Sequence, residues 1–283
     1  MIFLLKQPFV ENAFLAGTLI AAVSAIMGYF VVLRAEAFAA HALSHIGFAG
    51  ATLAAILGVS PLVCTSGFTV AAGIGIGALG KRIKGRDIEI GITLAFALGL
   101  GVLFLRLYTS SATETVGVLF GSILSVTRAD IALTAALGLA TLVALAVMFR
   151  PLLFASIDPE VAEARGVRIK WLSTLFMSLL AITVSEAIQV VGILLVFALI
   201  VAPAAIAQHL TQKPFSAIIL SVALGIGFVW CGLLLALATR FPVSFYISVL
   251  AAATYFAVVG SCHLIRPHAP PLKPRRCGLP MNP

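Results

Sequence analysis

Two histidines stand four residues apart in FAAHALSHIGFAG, from Phe38 to Gly50, a stretch otherwise built of apolar and small residues. On a helix, His41 and His45 share one face, one turn apart. Two imidazoles at that spacing can bind one divalent metal ion, and Ser44 adds a hydroxyl beside them. Zinc takes four ligands, or three plus water, so a single pair is half a site. A two-fold dimer would supply the other half by symmetry. The alternative is a packing role, with each ring bonded to a neighbouring carbonyl or hydroxyl. Glu186, with Gln189 nearby, is the other ionisable group inside an apolar run, in TVSEAIQVVG. An ionisable residue at membrane depth is a functional hypothesis by default. The two fall at an expected junction between spans, where Glu186 either attracts cations at an outer mouth or sits in a solvated turn. His209 and His263 are expected at interfacial helix ends.

The elements that must hold these groups follow from composition. The chain has 283 residues, 61% hydrophobic and 10% charged, against about 25% charged in soluble domains. Only lipid hides that much apolar surface, so the reading is an all-α polytopic membrane protein. Apolar runs of spanning length lie at roughly 12–33, 38–57, 61–79, 89–107, 130–149, 171–187, 189–208, 215–238 and 243–263. A tenth piece, 116–126, is too short to cross and reads as a re-entrant helix. With the N-terminus outside, fourteen of the eighteen Lys and Arg residues, Arg34 among them, fall on the inner side, as positive-inside sorting requires. The C-terminus is then cytoplasmic. Residues 1–265 form one transmembrane domain, and 266–283 a basic, Pro-rich disordered tail. The net charge of +8 is spread over short loops, which excludes a nucleic-acid surface. Cys64, Cys231, Cys262 and Cys277 show no pairing that suggests a disulfide framework or structural zinc. The first apolar run lacks a small-residue cleavage site and is expected to be retained.

Two tempting motifs fail. GIGALGK, from Gly75 to Lys81, has phosphate-loop spacing, but Arg82 follows where Ser or Thr is needed and no strand precedes it. Its glycines are expected to let membrane helices pack closely. No hydrolase constellation can be assembled. One loop does carry polar helix signals: in IDPEVAEARGVRIK, Asp158 is an N-cap, Pro159 the first helical residue and Gly166 the stop. A short cytoplasmic helix there either docks a soluble partner or is a solvated linker.

Four blocks, in order and spacing, resemble a known family: GYFVVLRAEAFAAHALSHIGFAGA (Gly28–Ala51), VLFGSILSVTRADI (Val118–Ile131), DPEVAEARGV (Asp158–Val167) and QVVGILLVFALIVAPAAIA (Gln189–Ala207). Over about residues 12–260 the chain resembles the ABC-transporter permeases for zinc, manganese and iron. The resemblance implies the ABC importer permease fold in a bacterial cytoplasmic membrane and no enzymatic activity in this chain. It implies a second permease protomer, as a homodimer or a paired permease, two cytoplasmic ATP-binding subunits and an extracytoplasmic metal-binding protein. It implies a metal site at the dimer interface formed by an Asp and a His. His45 stands at the position of the His, and His41 where the Asp is expected. Two such pairs would offer four neutral nitrogens, a set suited to zinc, nickel or copper, whereas carboxylate suits manganese better. The expected cargo is therefore zinc, with manganese, iron or a metal chelate as the alternative, and no permanently bound cofactor. Four neutral ligands leave the ion's charge uncompensated, and Glu186 is the one carboxylate available to help, although topology puts it nearer the outer face. Asp158, Glu160, Ala162 and Gly166 match the coupling segment that docks in a cleft of the ATP-binding subunit. A different class, a stand-alone secondary transporter or channel, would show more intramembrane carboxylates than Glu186 alone.

Overall fold

Long apolar runs have one solution in a bilayer, the helix, because each backbone N–H and C=O must be satisfied within the segment. The computed structural model describes residues 7–79, 86–107, 121, 123–239 and 241–265, and among these it is all helical. The helices are α1 (Pro8–Leu33), α2 (Ala37–Leu57), α3 (Pro61–Leu79), α4 (Arg86–Leu107), α5 (Arg128–Ile157), α6 (Pro159–Ala164), α7 (Ile169–Val191), α8 (Ile193–Leu210), α9 (Pro214–Ala238) and α10 (Val243–Ile265). All but α6 are long and apolar enough to cross a membrane, giving nine candidate spans among the described residues. The expected tail at 266–283 lies outside the described residues. So does most of the expected re-entrant piece; its described part holds one 3-10 turn, Ile123–Ser125.

Contacts between helix ends confirm the alternation. Arg34, at the end of α1, reaches Ser173, near the start of α7. At the other end, Asn12 donates to the carbonyl of Val126. Gly91 faces Phe38 and Gly101 faces Phe48, so α4 runs parallel to α2. Arg128, opening α5, lies 3.8 Å from Glu11 near the start of α1. α4 therefore ends, and α5 begins, on the side where α1 begins. The end of α4 and the start of α5 thus share one side, in keeping with the odd number of candidate spans among the described residues.

Two boundaries differ from the sequence reading. α5 continues eight residues past the expected end at 149, through Arg150 and Pro151. Hydropathy marks where the bilayer stops, whereas Arg is a good helix former and carries the helix on into the aqueous phase. The break between α7 and α8 falls at Gly192 rather than near 188. Gly192 has φ +83° and ψ 160°, a conformation open essentially to glycine alone, so the turn waits for that residue.

α1, α2 and α7 are the most buried spans and α4 and α10 the most peripheral. α7 packs chiefly on α3, and Gly77 of the failed phosphate motif, with Gly73 just before that motif, explains how. A Cβ on Gly73 would stand 2.8 Å from the carbonyl oxygen of Met177, and one on Gly77 would collide with the backbone of Thr174, while Gly75 faces open space. Two glycines four apart thus bring α3 and α7 into backbone contact. Gly80 and Lys81 lie outside the described residues.

Candidate metal centre

The site begins at the turn that feeds α2. Phe30 and Val31 accept backbone hydrogen bonds from Arg34 and Glu36, and Val32 from Ala35. This closes a Schellman turn with Ala35 in the left-handed region at φ 54°. Sequence reasoning placed Arg34 in a solvated inner loop; the structure corrects this. Its guanidinium is buried, 3.2 Å from the Glu36 carboxylate, with both side chains at most 2% exposed. It also lies 5.1 Å from the centre of the Phe176 ring. The tight turn folds the charge back against α7 instead of releasing it to water. The Arg34–Glu36 pair was missed because two opposite charges two residues apart in a loop look like ordinary surface.

One turn into α2 the two imidazoles meet. The ring centroids of His41 and His45 are 4.6 Å apart, at 77° to each other, and His41 lies edge-on to Phe197 of α8 at 5.0 Å. Both histidines are half-buried. The Nδ1 of His41 is buried with no hydrogen-bond partner. The packing alternative required each ring to bond a neighbouring carbonyl or hydroxyl, and among the described residues neither does. Ser44 is not beside them as a ligand: it is buried and donates to the carbonyl of His41 at 2.7 Å. Among the described residues no group of three or more His, Cys, Asp and Glu could hold a metal ion. At this place on α2, the pair is what one chain offers among the described residues. Beside it, α8 presents Phe197, Ala198, Val201 and Ala205, none fully buried and at helical spacing. Gly50 seats α2 against the backbone of Cys64 and Thr65, which fixes the helix that carries the rings.

Glu186 is elsewhere. Because α7 runs to Val191, Glu186 lies more than a turn inside the helix and is 2% exposed, not in a solvated turn. Its neighbour Ser185 touches Ser66 of α3, and Ile188 faces Gly47 of α2. At about 100° per residue, Glu186 points to the opposite side, towards Gly138 of α5. It therefore cannot balance the charge of an ion held by His41 and His45. His209 is exposed at the end of α8 as expected; the side chain of His263 lies outside the described residues.

At the inner end, Asp158 accepts from the backbone N–H of Val161 at 3.0 Å and caps α6. Gly166, at φ +87°, closes the helix, with the N–H of Val167 bonded to the carbonyl of Ala162. Asp158, Glu160 and Gly166 are exposed, whereas Ala162 is fully buried. Ala162 seats the short helix on the rest of the protein, and Asp158, Glu160 and Gly166 stand on its outer side.

Comparison with known proteins fits this arrangement. A family model described as the ABC 3 transport family matches residues 6–261. The chain is similar to the manganese import system permease protein ScaB of Streptococcus parasanguinis, 34% identical over 251 residues, covering 88% of this chain and 89% of that one. It is 31% identical over 224 residues to the manganese transport system membrane protein MntC of Listeria monocytogenes, covering 78% of this chain and 79% of that one. Among solved structures, PsaBC from Streptococcus pneumoniae in complex with Fab shares 30% identity at a TM-score of 0.81, over 91% of this chain and 95% of that one.

Proposed function

The chain belongs to the ABC 3 transport family, and we propose that it is the permease of an importer that carries a divalent metal ion between two copies of itself, with manganese as the cargo. As a membrane subunit of an ABC transporter it is a multi-pass protein of the bacterial cell membrane and has no ATPase activity of its own. The observation that carries the proposal is the imidazole pair, 4.6 Å apart on the open face of α2. A second protomer related by a two-fold axis would bring its own pair opposite, making a four-nitrogen cage from two half-sites. Ala198 and Ala205 on the half-exposed face of α8 would let the copies approach closely. Metal released by an extracytoplasmic binding protein is held briefly. Closure of two ATP-binding subunits, transmitted through α6, then opens the inner side. Weak binding is part of the mechanism, since a tight closed cage would trap the ion.

The relatives' names favour manganese over the zinc expected from the sequence. One observation keeps zinc as the second reading: the donors here are imidazoles alone, and imidazole suits zinc better than manganese. Uptake of radiolabelled manganese and zinc by a metal-starved host carrying the full transporter decides both matters. His41→Ala and His45→Ala are expected to lower uptake at least tenfold, with the ATP-binding subunits still bound to the permease. Uptake unchanged in both variants would overturn the site. Competition between the two metals on the native protein identifies the cargo.

A further inference from the structure

Away from the histidines, a second carboxylate site lies at the outer ends of α3, α5 and α7. A cavity of about 270 Å³ opens there, lined among others by Ser60, Asp130, Thr134, Glu186 and Gln189. Glu186 is 2% exposed, and neither of its carboxylate oxygens has a hydrogen-bond partner. A buried carboxyl with no partner stays neutral unless a cation is bound beside it, so ionising this side chain calls for one.

The surroundings suit one. Among the described lining residues there is no Lys or Arg; the nearest expected cation, Arg128, is turned to Glu11. Asp130 uses Oδ2 to accept from the N–H and hydroxyl of Thr127 in its capping box, leaving Oδ1 for a ligand. The C-terminal end of α7, with Gln189 and Val190 on the wall, adds the negative pole of a helix dipole. Two helix N-termini also border the cavity. Thr127 and Asp130 cap α5, and the N–H groups of Val63 and Cys64 at the start of α3 turn to the carbonyl of Ser60. An anion there would face two carboxylates.

We propose that this outer cavity is a second cation site, distinct from the histidine pair, that takes a hard divalent ion through oxygen ligands: Glu186 and Asp130 as carboxylates, with Thr134, Gln189 and Ser60 supplying neutral oxygens. Oxygen donors of this kind suit manganese, calcium or magnesium. The site faces away from α2, so the ion does not join the one held by the imidazoles. It ties together the outer ends of α3, α5 and α7. The shared chemistry leaves two sources, the transported metal on its way in or a resident ion from the medium, and the test separates them.

The test uses the purified full-length chain in lipid nanodiscs and follows free manganese by its electron paramagnetic resonance signal. Removing the first site with His41→Ala/His45→Ala is expected to leave about one bound manganese per chain. Adding Glu186→Gln to that background is expected to weaken this binding at least tenfold. Calcium displacing the manganese at equal concentration identifies a resident-ion site, and manganese resisting a hundredfold excess of calcium identifies an entry site. Either result supports the proposal. Manganese binding that is absent in the histidine-free protein, or unchanged by Glu186→Gln, overturns it. If Glu186→Gln does not give a monodisperse protein, Asp130→Asn/Gln189→Leu replaces it, with the same weakening expected and an unchanged curve again decisive against the site. The readout does not depend on transport, so its failure is separate from failure of the importer reading.

Discussion

At the scale of single residues, the histidine at position 41 sets the ligand type of the proposed site. A carboxylate there would add charge and a hard oxygen to each half-site. His41→Asp is expected to raise the ratio of manganese to zinc uptake at least tenfold; a ratio that stays fixed would show that His41 does not touch the ion. The buried Arg34–Glu36 pair sets a different limit. Removing Glu36 takes the carboxylate away from the buried Arg34 guanidinium, and losing one partner of a buried pair costs about 3–5 kcal/mol, more than the pair itself contributes. Glu36→Ala is expected to lower the melting temperature of the detergent-solubilised protein sharply. The sequence made the histidines legible because ionisable groups are rare in apolar runs. It hid Arg34 and Glu36 because a charge in a short loop is normally solvated, and only the folded turn shows that this one is covered by α7.

At the scale of elements, the helices were legible and their ends less so. Apolar length located all nine spans, yet α5 ends eight residues late and α7 four residues late. In both cases backbone chemistry, rather than hydropathy, sets the stop. The Gly192 break moved Glu186 from an expected junction into a buried wall, and so changed what that residue can do. Two predictions belong here. Ala35 holds a left-handed conformation that costs a non-glycine residue about 1 kcal/mol. Ala35→Gly should therefore raise the melting temperature with the turn intact, and a fall would show that the turn is not strained. Gly77→Leu inserts a side chain where the backbones of α3 and α7 touch. Overpacking of this kind costs about 1–3 kcal/mol or more, so a lower melting temperature and poorer recovery are expected. Gly75→Leu, which meets open space, should be close to neutral.

At the scale of the whole molecule, the proposed function depends on a second copy and on partners at both faces. If the half-exposed face of α8 is the dimer contact, Ala198→Trp should convert the purified dimer to a folded monomer, measured by light scattering in detergent, and metal uptake should be lost with it. A dimer that persists would move the interface elsewhere. By itself the sequence determined the membrane class, the odd number of spans, the orientation and the histidine pair. These rest on what water and lipid do to each residue type locally: apolar length, the side on which Lys and Arg are kept, and the helical periodicity that puts residues 41 and 45 on one face. Only the tertiary structure decided which buried groups face which neighbours. It turned Glu186 away from the histidines, folded Arg34 under α7 and buried Ala162 behind the exposed rim of α6. Those directions are set by how helices pack against one another across more than a hundred residues of chain, and no local pattern in an apolar run records them.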